Sequence, residues 1–224
     1  MDLDFTKKEF TFDDIPEKKK YIFGRIKKIY VNVDEEKLKK ILDSIKIIFR
    51  KQDEKGASNH LKRVIYVSFN ELTKYDIKNE KQFLDYLVDP KSVVTHETTH
   101  LFQNHFEAFP DINYTYKDNT GKRKIDYKKY VTDPGEIQSR LEQIIELLRW
   151  GFDKEEIVNF LYNRQEKDKD LWRELIDCAI DLKKESSSKM PEIDENEDVT
   201  NDLGRLIEDW KTKTKDKNYY RNYL

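Results

Sequence analysis

His96, Glu97, Thr98, Thr99 and His100 form the stretch of this chain whose residue types and spacing can do chemistry. On an α-helix, two residues four apart differ by about 40° in direction and sit one turn apart. Both imidazoles can therefore reach one metal ion at the roughly 2.0–2.1 Å that zinc prefers. Glu97 lies about 100° round the helix from His96, where its carboxylate meets a water on the ion and not the ion itself. Zinc lowers the pKa of such a water towards about 7, and a carboxylate in that place takes the proton. The chain has 4 histidines, so this HExxH spacing is rarely an accident. The competing reading is two surface histidines bracketing an acid.

Catalytic zinc usually has three protein ligands and an open fourth position. His105 follows His100 by five residues, about 140° round the helix. It lacks the glycine and the six-residue step of the longer three-histidine motif, and its plain reading is a helix-end histidine. His60, ahead of a β-branched run, reads as a substrate contact or a surface residue. Glu136 is the stronger candidate. The segment Tyr130, Val131, Thr132, Asp133, Pro134, Gly135, Glu136 sets a carboxylate in the first turn of a second amphipathic helix. Asp133 and Glu136 also have the spacing of a capping box, and Arg140 stands one turn on, where it can pair with Glu136. Tyr130 can donate its phenol to a developing oxyanion, or it is one packed aromatic among 13 tyrosines.

With these residues the chain resembles the HExxH-plus-Glu zinc metallopeptidases, the gluzincins. It is most similar to their small phage and bacterial type, which carry a Tyr-x-x-x-Pro-x-Glu segment after the zinc helix. The resemblance covers about 63–148. It implies one zinc ion per chain held by His96, His100 and Glu136, with Glu97 as general base. A small residue usually follows the ligand Glu by three or four; Ser139 fits that pattern. The Asn-Glu-x-x-Ser-Asp segment of the thermolysin branch is absent.

Elements must hold these groups in place. Lys28–Val33 alternates and reads as a strand. Asp34 then caps a helix carrying Leu38, Ile41, Leu42, Ile45, Ile48 and Phe49, with Gly56 at its end. Arg63–Phe69 is β-branched and aromatic, and is expected as an edge strand that binds an extended peptide by strand addition. A short helix is expected over Gln82–Val88. Asp89-Pro90 predicts a helix start, with the zinc helix running to about Glu107. Asn119-Thr120-Gly121 suggests a hairpin or loop. Asp133-Pro134 opens a helix closed by Gly151, Asp153 opens another to Leu161, and Leu171–Lys183 forms a third. The expected class is α+β and zincin-like, a small sheet on the catalytic helix with a mainly helical second half. The expected divisions are an arm over 1–20, a catalytic domain over 21–185, an acidic linker over 186–198, and an amphipathic helix with a basic tail over 199–224.

Composition narrows the rest. The chain is 37% hydrophobic and 39% charged, with 12 Phe and 13 Tyr, which a disordered chain would lack. A net charge of -2 offers no global attraction for nucleic acid or an anionic membrane. One cysteine, Cys178, excludes an internal disulfide and a four-thiolate zinc site, and it reads as core packing. No stretch approaches the roughly 18 apolar residues of a membrane span, and the start has no apolar leader. A cytoplasmic protein, or a virion protein if phage-encoded, is expected, acting on a peptide or protein substrate. The alternative is a non-enzymatic zincin-fold module with a structural or partner-binding role.

Overall fold

The computed structural model describes residues 4–109, 115–117, 123–125, 133–161, 173, 175–177 and 180. The chain divides into two compact units, Met1–Ala108 and Phe109–Leu224. The class is α+β.

In the first unit, strands β1 (Phe10–Thr11), β2 (Lys46–Arg50), β3 (Gly56–Asn59) and β4 (Val64–Ser68) form one sheet in the order β1-β2-β4-β3. β2 and β4 run parallel, with Ile47 beside Ile65 and Phe49 beside Val67. The two outer pairings are antiparallel. Val64, Ile65, Val67 and Ser68 are all buried, as expected of an interior strand covered on both faces. The expected edge strand is therefore interior, and the edge on that side is β3. Arg63 does not start the strand; it closes the β3–β4 turn in the left-handed region, at φ 52.

Helices α1 (Pro16–Ile29), α2 (Glu35–Asp43), α3 (Phe69–Lys74), α4 (Glu80–Val88) and α5 (Val94–His105) complete this unit. Residues 28–33 are not a strand: α1 runs through Ile29 and a turn follows. The single helix expected after Asp34 is two elements. Asp34 does cap α2, accepting from the Lys37 N–H at 2.9 Å, but Ser44 ends it and Ile45–Phe49 go on as β2 and its approach. Ile45, Ile47 and Phe49 are buried at the period-two spacing of a strand, so tertiary pairing with β4 overrides the helical count.

The expected N-terminal arm is part of the core. Phe5, Phe10, Phe12 and Ile15 are buried. Phe83 of α4 gathers the rings of Phe5, Phe10 and Phe49, at centroid distances of 6.0, 5.0 and 4.4 Å. Each such buried ring contributes about 1.5–3 kcal/mol relative to exposure, which no solvated arm would forgo. Thr11 and Asp14 form a reciprocal capping box on the 3-10 turn Phe12–Asp14 that precedes α1.

In the second unit, β5 (Thr115–Lys117) and β6 (Arg123–Ile125) pair antiparallel, and the turn expected at 119–121 lies outside the described residues. Helices α6 (Pro134–Arg149) and α7 (Lys154–Leu161) follow. Asp153 and Glu156 cap the start of α7 reciprocally, at 2.8 and 2.9 Å. Leu141, Ile144, Leu147, Ile157, Val158 and Leu161 form a core with Leu175 and Ile176. Those last two are helical, within the helix expected over 171–183. Cys178, the linker over 186–198 and the helix and tail over 199–224 lie outside the described residues. Among the described residues no helix is long and apolar enough to cross a membrane.

Candidate metal centre

α5 carries His96, Glu97 and His100, and its packing explains the burial of the first two. Leu101 and Phe102 are fully buried on its core side. Thr98 and Thr99 satisfy their own hydroxyls by donating to the carbonyls of Val94 and Thr95, at 2.6 and 2.9 Å, so two polar residues enter the interior at little cost. The His96 and His100 rings stand at 85° to one another. Their Nε2 atoms are 3.1 Å apart. Two nitrogens at that separation, each roughly 2.0–2.1 Å from a common ion, subtend about 100° there, close to a tetrahedral angle.

Gln103 is a residue that pattern reading missed. It lies one turn after His100, buried, with its Oε1 2.9 Å from His100 Nδ1. A carbonyl oxygen accepts a hydrogen bond from Nδ1–H, which keeps the proton on Nδ1 and leaves the Nε2 lone pair for a metal. The signal was present in the spacing, since residues three apart on a helix are neighbours.

Glu97 is buried, at 7% exposure, and Gly56 makes room for it. A Cβ on Gly56 would lie 3.0 Å from both Cγ and Oε1 of Glu97, and 2.9 Å from the Cβ of Val93. The backbone of β3 thus runs against the carboxylate, and only glycine fits between strand and helix. Gly56 reads as helix punctuation in the sequence. The run of small residues Gly56, Ala57 and Ser58 was the clue that backbone comes close to something there.

Glu136 is held in the first turn of α6. The Asp133 side chain accepts from the Glu136 N–H at 3.1 Å, and Pro134 occupies the first helical position, so the direction in which Glu136 leaves the helix is set locally. It is buried, at 8% exposure. One ligand atom from each of His96, His100 and Glu136 lies within 4.8 Å of the other two, so the three could hold a metal ion. Two imidazoles and one carboxylate are a donor set that suits zinc and leaves a coordination position for a water or substrate.

The remaining candidates are not in this group. His105 ends α5, half-buried, with its ring edge-on to Phe106. Burial lowers its pKa, and the charges of Arg63, Lys37 and His60 lower it further. His60 begins the β3–β4 turn. Tyr130 lies outside the described residues. Compared with known protein families, curated proteins and solved structures, the chain has no match.

Proposed function

We propose that this chain is a zinc-dependent metallopeptidase of zincin-like fold, with His96, His100 and Glu136 as zinc ligands and Glu97 as general base. The observation that carries this reading is the grouping of His96 and His100 of α5 with the Glu136 carboxylate, while Glu97, the residue after His96, is a buried acid against the edge strand β3. An ion bound there supplies Lewis acidity, lowering the pKa of a water towards about 7 and polarising a carbonyl. Glu97 would serve as the base that takes a proton from the attacking water and returns it to the leaving nitrogen. Gln103 fixes the His100 tautomer. Tyr130 is the proposed donor to the oxyanion.

A peptide substrate is favoured by β3. Among the described residues nothing pairs with its outer edge. Ser68 N–H donates to the Lys55 carbonyl at 3.0 Å. The alternation of an antiparallel ladder then turns the main-chain groups of Gly56 and Ser58 outward, where an extended peptide can pair with them beside Glu97. The test is a proteome-derived peptide library incubated with the zinc-loaded protein, with Glu97→Gln as control. Cleavage that a chelator and Glu97→Gln both abolish supports the reading. An uncut library together with tight binding of an intact protein partner would turn the assignment to the partner-binding module.

A further inference from the structure

Four basic side chains gather where β3 ends. His60 and Arg63 share the turn that leaves β3, with the Arg63 N–H donating to the His60 carbonyl at 3.3 Å. Lys37 of α2 sets its Nζ 5.3 Å from the centre of the Phe106 ring. His105 packs edge-on to the same ring, with centroids 4.9 Å apart. Burial lowers the His105 pKa, and the neighbouring Arg63, Lys37 and His60 lower it further.

Two features make this more than a solvated face. The chain holds 45 acidic residues against 43 basic ones, yet among the described residues no carboxylate pairs with any of these four side chains. Arg63 bonds Ser44 Oγ at 2.8 Å, and Asp34 takes the backbone N–H of Lys37 and not its ammonium. Arg63 also sits at φ 52, where glycine or asparagine would cost less. A strained position occupied by a long cation is the kind of outlier that points to use of its side chain.

The position of the cluster indicates the ligand. Gly56 marks the level of Glu97, and His60 follows four residues later, about 13 Å along a strand. A peptide paired with the outer edge of β3 would bring the residue about four positions from the scissile bond to the cations Arg63 and Lys37 and the two imidazoles beside them. We propose that His60, Arg63, Lys37 and His105 form an anion subsite that selects an acidic residue about four positions from the cleaved bond. The inference rests on the peptidase reading for its register and on charge for its chemistry, so the two are tested separately.

Peptides with Glu or Gln scanned through the positions flanking the bond give the first readout. The Glu/Gln ratio of kcat/KM should peak about four residues away, and it should fall about two- to five-fold in Lys37→Gln and again in Arg63→Gln. Binding of a Glu-containing peptide and its Gln counterpart to the Glu97→Gln protein gives the second, without cleavage. The Glu peptide should bind more tightly, and rising salt should erase the difference. Lys37 is exposed, so its variant keeps the test open if Arg63→Gln misfolds. Peptides cut equally well with Glu or Gln at every position would overturn the subsite and leave the peptidase standing. Salt-dependent acidic binding with no cleavage of any peptide would leave the anion site and sink the peptidase. An oligonucleotide that binds these residues more tightly than the acidic peptide would overturn the assignment to peptide.

Discussion

The dipeptide Asp-Pro occurs in front of both helices that carry the candidate ligands, with different outcomes. Before α6, Asp133 caps the helix and Pro134 is its first residue. Before α5, Asp89 is already engaged. Its N–H closes α4 onto Asp85 and Tyr86. Its carbonyl accepts from Ser92 N–H at 3.0 Å, and its Oδ1 accepts from Lys91 N–H at 2.7 Å. Asp89-Pro90 is thus the head of a turn, for which Asp at the first and Pro at the second position are equally suited. α5 starts four residues later than expected, without a side-chain cap. Lys18, from α1, adds its Nζ to the Val88 and Asp89 carbonyls. A local signal decides the structure only where the preceding segment leaves its groups available. Hence α6 presents Glu136 through its own cap, whereas α5 presents His96, Glu97 and His100 through tertiary packing.

The largest effect expected on this contrast is chemical. Glu97→Gln should retain the fold and zinc while slowing peptide hydrolysis by about 10²–10⁴-fold, the usual loss of a general base; wild-type turnover in the variant would remove Glu97 from that role. Next is packing. Gly56→Ala forces β3 and α5 apart and should cost about 1–3 kcal/mol, read by chemical denaturation. Hydrolysis should fall by on the order of 10²-fold, because a displacement of about 1 Å at the reacting groups is enough. An alanine variant with native stability and rate would show that α5 is not held by this contact.

Capping effects are smaller and should be unequal. Asp133→Ala should cost about 0.5–2 kcal/mol through loss of the α6 cap. Asp89→Ala removes one turn hydrogen bond and should cost about 0.5 kcal/mol, the low end for such a bond. Equal losses in the two variants would mean that both aspartates work as helix caps, against the different bonding of Asp89.

The same contrast explains what was legible in the sequence. The HExxH spacing is a within-helix pattern, so His96, Glu97 and His100 could be read as one constellation without knowing the fold. Glu136 was legible because its cap lies three residues away. The strand β2 was not, since Leu38, Ile41, Leu42, Ile45 and Ile48 fit a helix as well as Ile45, Ile47 and Phe49 fit a strand. Only pairing with Ile65 and Val67 decides between them. Phe5, Phe10 and Phe12 have no regular period because they belong to short 3-10 turns and a two-residue strand. Phe5 and Phe10 pack against Phe83, far along the chain. Gly56 likewise takes its meaning from Glu97, which no local pattern connects to it.

Zinc binding by three variants tests the central claim most directly. Elemental analysis and competition titration should give one zinc ion per wild-type chain, none in His96→Ala, and an affinity weakened by orders of magnitude in Glu136→Ala. Added zinc should then raise the melting temperature of Glu136→Ala far less than that of wild type. His105→Ala should bind zinc as wild type does. Full zinc in His96→Ala, or loss of zinc in His105→Ala with normal binding in Glu136→Ala, would contradict the assigned site.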